Sequence, residues 1–174
     1  MNKDLQKIIK LSYSFSGVER DMFYPESDRP ENDSEHSFQL ALVAWHIIEK
    51  DELPLNKEKV FKIALAHDLV EIHAGDVPLW GKNGHDEKVE NEAKAVKTLE
   101  ADFPENKDLI QSILEYKGRS NPEARFVHAL DKLLPFINQI NTEGRIWKKH
   151  GITLIRTPQS GHEIKTCPLF VLPI

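Results

Sequence analysis

The chain has 174 residues, enough for one domain with a sizeable core and too short to make two domains the default. A net charge of -5 and a pI near 5.9 exclude a broadly basic nucleic-acid surface, and the single cysteine, Cys167, excludes an internal disulfide and a thiolate zinc site. The opening MNKDLQKIIK lacks a signal-peptide apolar core, and the run LALVAW falls far short of the roughly 18 apolar residues that span a bilayer, so a soluble, cytoplasmic chain is expected.

The dominant period along the chain is helical. A first helix is predicted over residues 3–14, with Leu5, Ile8, Ile9 and Leu11 near one face. Residues 17–33, with Pro25, Pro30 and many charges, read as a loop. Asp33 or Ser34 can cap the next helix, whose interior from Phe38 to Ile48 is apolar on nearly every side and therefore reads as central. One continuous helix is predicted after Asn56, through VFKIALAHDLVEI, to a stop at Gly75. Residues 78–84 are loop-like. A charged helix from about Glu87 to Asp102 follows, packing through Val89, Ala93, Val96 and Leu99. A short helix covers 109–116. Pro122 suits the first turn of a last long helix, in which Pro135 deprives the Asp131 carbonyl of its N–H partner and predicts a kink. No strand alternation precedes residue 150, so the body, residues 1–150, is expected to be an all-α bundle, with 151–174 an irregular tail.

Four metal-type side chains interrupt three of these apolar segments: His36, the pair His67-Asp68, and Asp131. Burying an unpaired ionisable group costs several kcal/mol, on the order of 3–5 when its partner is removed, and one shared cation would satisfy all four. Imidazole with carboxylate suits divalent manganese, iron, cobalt, nickel or zinc, and four protein ligands leave open positions on a six-coordinate ion. A core histidine bonded to a carboxylate is the simpler reading of His67-Asp68 alone; it weakens once His36 and Asp131 are counted with it. The second pair, His85-Asp86 in GKNGHDEKV, is read as an exposed histidine and a helix cap instead. Glu71, four residues after His67 and three after Asp68, can reach the same cavity and orient or deprotonate a water, or else simply hold His67. Asp76, just past Gly75, stands where a loop carboxylate can meet a substrate hydroxyl or leaving group, or serve only as a turn residue.

The segments RPENDSEH (Arg29 to His36), HDLVEIHAGD (His67 to Asp76) and EARFVHALDKLLP (Glu123 to Pro135) resemble those of HD-domain metal-dependent phosphohydrolases, in particular the subgroup related to bacterial 5'-deoxynucleotidases. The resemblance covers most of residues 1–150 and implies an HD-type helical bundle around one divalent ion, magnesium included. By position it makes His36, His67, Asp68 and Asp131 the metal ligands and Glu71 the acid that positions the attacking water. It places Asp76 near the substrate and makes Arg29 the arginine that faces the phosphate, with Arg20 ranking behind it.

The nucleotidases proper carry an arginine-tryptophan pair before the first ligand, and this chain does not. The pattern also breaks near Thr153, as a truncated or frame-altered end would. The expected activity is hydrolysis of a phosphomonoester, a (deoxy)nucleoside 5'-monophosphate or similar small ester. Phosphodiester or alarmone pyrophosphate hydrolysis and a non-catalytic metal-binding helical module stand as alternatives. The expected partner is a small phosphorylated substrate, without bulk nucleic acid or membrane, and the apolar helices leave a face for a twofold homodimer.

Overall fold

The computed structural model describes residues 2–75 and 85–151. The expected bundle is present, in the order α1 (Lys3–Ser16), β1 (Glu19–Phe23), β2 (Pro30–Asn32), α2 (Asp33–Lys50), α3 (Lys57–Ala66), α4 (Glu71–Ala74), α5 (His85–Asp102), α6 (Lys107–Gly118), α7 (Pro122–Asn141) and α8 (Arg145–Lys149). Asp76, the 78–84 loop and the tail beyond Gly151 lie outside the described residues. Among those described, no helix is long and apolar enough to cross a membrane.

The segment expected to be a loop folds as a hairpin. β1 and β2 pair antiparallel, Glu19 opposite Asn32 and Phe23 opposite Pro30. Its strands bury only Met22 and Glu31, so no period-two apolar pattern marks them; the pairing is made by backbone bonds and ends in Tyr24 N–H to Arg29 C=O at 3.0 Å. The hairpin delivers the chain straight into α2, and Asn32, one residue ahead of the expected caps, closes a reciprocal capping box with Glu35.

α2 is not buried on all sides. Leu40, Ala44 and Ile48 form its inner stripe, while Phe38, Leu42 and Trp45 are exposed. In α1 the expected face is also open: Leu5, Ile8 and Ile9 are exposed, and Phe15 supplies the buried anchor. α5 begins two residues earlier than expected and packs through Ala95, Val96 and Leu99, with Val89 left in solvent.

The single helix expected across HDLVEI is broken. α3 ends at Ala66, a tight turn carries 67–70, and α4 restarts at Glu71. Through the turn the bonds shorten to i→i−3, as in Leu69 N–H to Ala66 C=O and Glu71 N–H to Asp68 C=O. Pro122 opens α7 as expected, and the helix runs unbroken through Pro135.

Two buried clusters form the core. Phe15, Leu69, Val70, Leu99, Phe103 and Ile113 join α1, the 67–70 turn, α5 and α6. Leu40, Ile48, Ile63, Val127, Leu130 and Leu134 join α2, α3 and α7. Ala64 belongs to the second and Ala66 to the first, so the chain passes from one to the other as it reaches His67.

Candidate metal centre and active site

His67 is the C-cap of α3, where the last carbonyls lack helical partners. Its ring turns back so that Nδ1–H donates to the Ala64 carbonyl at 2.9 Å. That bond selects the tautomer and leaves Nε2 pointing inward, 2.9 Å from Asp68 Oδ2 and 3.7 Å from Asp131 Oδ1. His36, in the first turns of α2, brings its own Nε2 to 2.9 Å from the same Asp131 oxygen. All four side chains are buried, and one ligand atom from each lies within 4.8 Å of all the others.

Two helices and a turn thus place nitrogen and oxygen donors around one point, as a single ion requires. The break between α3 and α4 falls at this point, with His67 the C-cap of α3 and Asp68 in the tight turn beyond it. The match with known proteins is now direct: the sequence model of the HD domain family covers residues 18–166. The chain belongs to the HD domain family.

This HD domain is 35% identical over 111 residues to the 5'-deoxynucleotidase HDDC2 of Bos taurus, covering 63% of the chain and 53% of the relative. It is 34% identical to the human protein of the same name, with the same coverage. The chain spans about half the length of these curated relatives. A crystal structure of a predicted metal-dependent phosphohydrolase from Magnetospirillum magnetotacticum is 32% identical with a TM-score of 0.74, covering 86% of this chain and 75% of that one.

The charge state of the HD centre follows from its surroundings. Burial holds the His36 pKa below the ordinary histidine range despite its bond to Asp131. Burial opposes the charged form of His67 too, yet the Asp68 and Asp131 carboxylates overcome it and push its pKa up to about 10. Both aspartates are held below the usual carboxylate range although burial disfavours their charge: His67 stabilises Asp68, and the His36 bond stabilises Asp131. One proton, on His67, therefore sits between two carboxylates where a cation can replace it, and the two-imidazole, two-carboxylate donor set fits one first-row divalent ion.

A second ring of residues holds the four candidate ligands. Asp68 Oδ2 also accepts Arg20 Nη1–H at 2.9 Å, and the same guanidinium reaches Asp33 at 2.9 Å and Glu31 at 3.6 Å. Asp131 Oδ2 accepts the Tyr116 hydroxyl at 2.5 Å and the Lys132 ammonium at 2.8 Å. The Tyr116 ring stands edge-on to His67, with centroids 4.9 Å apart. Glu71 opens α4, is 8% exposed, and acts electrostatically on Tyr116.

Arg29 stands at the surface and reaches this network only electrostatically, through Glu31. Its guanidinium forks onto Glu35 at 2.9 and 2.6 Å and lies 4.1 Å over the Tyr24 ring, bracing the capping box from the surface. The backbone of His85-Asp86 opens α5, so Asp86 lies within the helix rather than before it. Arg20, Tyr116 and Lys132 are the residues that sequence reading underweighted or missed. Arg20 was a lone arginine in an apparent loop. Tyr116 fitted an ordinary amphipathic pattern, and Lys132 an ordinary solvated position; only its place next to a ligand aspartate was a signal.

Proposed function

We propose that this HD domain uses one divalent ion to hydrolyse a phosphomonoester, a (deoxy)nucleoside 5'-monophosphate or similar small phosphate ester. The observation that carries the reading is Glu71: a buried carboxylate three residues beyond Asp68, which a purely structural ion would not need. The names of the curated relatives support the phosphomonoester class.

When bound, the ion supplies Lewis acidity, lowering the pKa of the attacking water and offsetting charge on the phosphoryl oxygens. Glu71 orients that water and takes its proton as the new P–O bond forms, and the ester P–O bond breaks to release an alcohol, whose oxygen takes up a proton as it leaves. Arg20 and Tyr116 keep Asp68 and Asp131 in place, so the ligand set does not reorganise during the reaction. Asp76, one residue beyond Gly75, is assigned the contact to the substrate hydroxyl or leaving oxygen. Arg29 can take a phosphate oxygen only by releasing Glu35.

The test is phosphate release from a panel of deoxynucleoside monophosphates and sugar phosphates with manganese, cobalt or magnesium. Glu71→Gln should keep metal content and fold while losing turnover. Retained turnover removes Glu71 from the mechanism; pyrophosphate release from an alarmone, or cleavage of a phosphodiester instead, selects the other hydrolytic chemistry. No turnover with any ester and any of these metals leaves a structural ion in a binding module.

We place the chain in the cytoplasm on the strength of its single cysteine and expect no bulk nucleic acid on a surface of net charge -5. Self-association is assigned to the exposed stripe Phe38, Leu42 and Trp45, which continues onto α3 through the Trp45–Phe61 edge contact at 5.9 Å. Sedimentation of Leu42→Glu against the parent checks this: equal monomeric mass for both removes the dimer.

A further inference from the structure

A second cavity, of about 260 Å³, lies against α4, the short helix that begins with Glu71. Its other walls are α1 and the C-terminal end of α5. Lys7, Lys10 and Ser14 lie on a single stripe of α1, and His73 of α4 and Asp102 at the end of α5 complete the polar rim. Leu11, Ile72 and the buried Phe103 make an apolar floor.

The rim sets two lysines, the His73 imidazole and the Ser14 hydroxyl against one carboxylate, that of Asp102. Lys7 donates to a backbone carbonyl, that of Asp102, at 3.3 Å, and the side chains of Lys10 and His73 make no ion pair or hydrogen bond among the described residues. Lys57, Lys62 and Lys117, by contrast, are each tied to a carboxylate. Two ammonium groups and an imidazole that outnumber the one carboxylate above an apolar floor suit a dianion with several oxygens better than a carboxylate, which offers one charge and two oxygens. The volume is just under the roughly 300 Å³ at which drug-sized pockets begin, so the occupant must be compact.

We propose that this cavity is a second, non-catalytic site for a small phosphomonoester or phosphonate dianion with a compact apolar body. The phosphoryl group sits among Lys7, Lys10 and His73, and the body lies on Phe103 and Ile72. Because Ile72 and His73 follow Glu71 directly, an occupant ties α1 to the helix that carries the proposed base and restricts its local opening.

The site does not depend on hydrolysis, so it is tested on the full chain stripped of metal, with phenylphosphonate as the probe. The P–C bond of that compound resists hydrolysis and its ring tests the apolar floor. Titration followed by NMR should show saturable shifts at Leu11, Ile72 and Phe103 with a dissociation constant on the order of 1 mM. Lys7→Ala/Lys10→Ala should weaken binding at least about tenfold, whereas Lys50→Ala/Lys97→Ala, outside the cavity, should not. Benzoate should bind more weakly than phenylphosphonate. Amide exchange of Glu71–Gly75 should slow with the probe in the parent and stay unchanged in the Lys7/Lys10 variant. Absence of saturable shifts, unaltered binding in that variant, or equal affinity for benzoate overturns the proposal. Circular dichroism confirms that the variant, altered only at exposed positions, is folded.

Discussion

The Tyr116 hydroxyl donates to Asp131 Oδ2 at 2.5 Å, while the other oxygen of the same carboxylate faces His36 at 2.9 Å. One aspartate is thus divided, one oxygen given to the ion-binding point and one held from α6. Such outer partners fix a ligand's orientation and basicity, and their loss typically weakens metal affinity about 10–100-fold. Tyr116→Phe keeps the ring against His67 and removes only the hydroxyl. Manganese affinity, measured by competition with a chelating dye, should fall at least about tenfold with the melting temperature of the metal-free protein little changed. Unchanged affinity would show that Lys132 alone suffices at that oxygen.

Arg20 bridges Asp33, Glu31 and Asp68, with its side chain 12% exposed. Removing one partner from a buried ionic cluster costs about 3–5 kcal/mol, because the remaining charges stay desolvated. Arg20→Met should therefore lower the urea-unfolding free energy of the metal-free protein by about that amount. Manganese should recover part of the loss, since Asp68 regains a positive neighbour. A loss below about 1 kcal/mol would mean that the carboxylates take up protons or reach solvent instead.

Glu31 supplies the pH dependence. Burial raises its pKa from 4.5 to about 7, with Arg20 opposing the rise. The folded state thus holds a proton that the unfolded state gives up at lower pH. Its contribution is complete below pH 4.5, declines as pH climbs, and is lost above about pH 7. Glu31→Gln cannot lose this proton. Its stability relative to the parent should rise between pH 5 and pH 8, by on the order of 3 kcal/mol, in chemical denaturation run with chelator. A flat difference curve would place Glu31 in a solvated or fully paired state.

Metal removal offers the simplest check of the four ligands. An ion that binds only the folded chain at about 100 times its dissociation constant stabilises it by about 2.7 kcal/mol, or roughly 5–10 °C in Tm for a chain of this length. Scanning calorimetry with manganese and then with excess chelator should show that difference in the parent. Asp131→Asn should show little of it, because an amide replaces the charged ligand. A parent Tm indifferent to every divalent ion tried contradicts the metal assignment outright.

The candidate ligand set was legible because each member broke a local rule. His36, His67-Asp68 and Asp131 are polar interruptions in apolar helical stretches, and the structure brings all four together. Helix ends were nearly as clear at Pro122 and Gly75, where backbone chemistry is local. The break after Ala66 was not, since 67–70 keeps helical spacing in its apolar residues. It turns because the His67 ring takes the Ala64 carbonyl and the chain tightens to i→i−3 bonds.

Residue types and their spacing alone determined a helical chain with two histidines and two aspartates available to one cation, and three of its segments carried the resemblance to the HD family. Tertiary structure decided which arginine stands beside them. Arg29, close in sequence to His36, is held at the surface by Glu35, and Arg20 is carried inward by a hairpin whose strands show no side-chain pattern. The reason is physical: ligand chemistry belongs to individual side chains, whereas the register of a short polar hairpin is set by backbone hydrogen bonds, to which any non-proline residue contributes the same donor and acceptor.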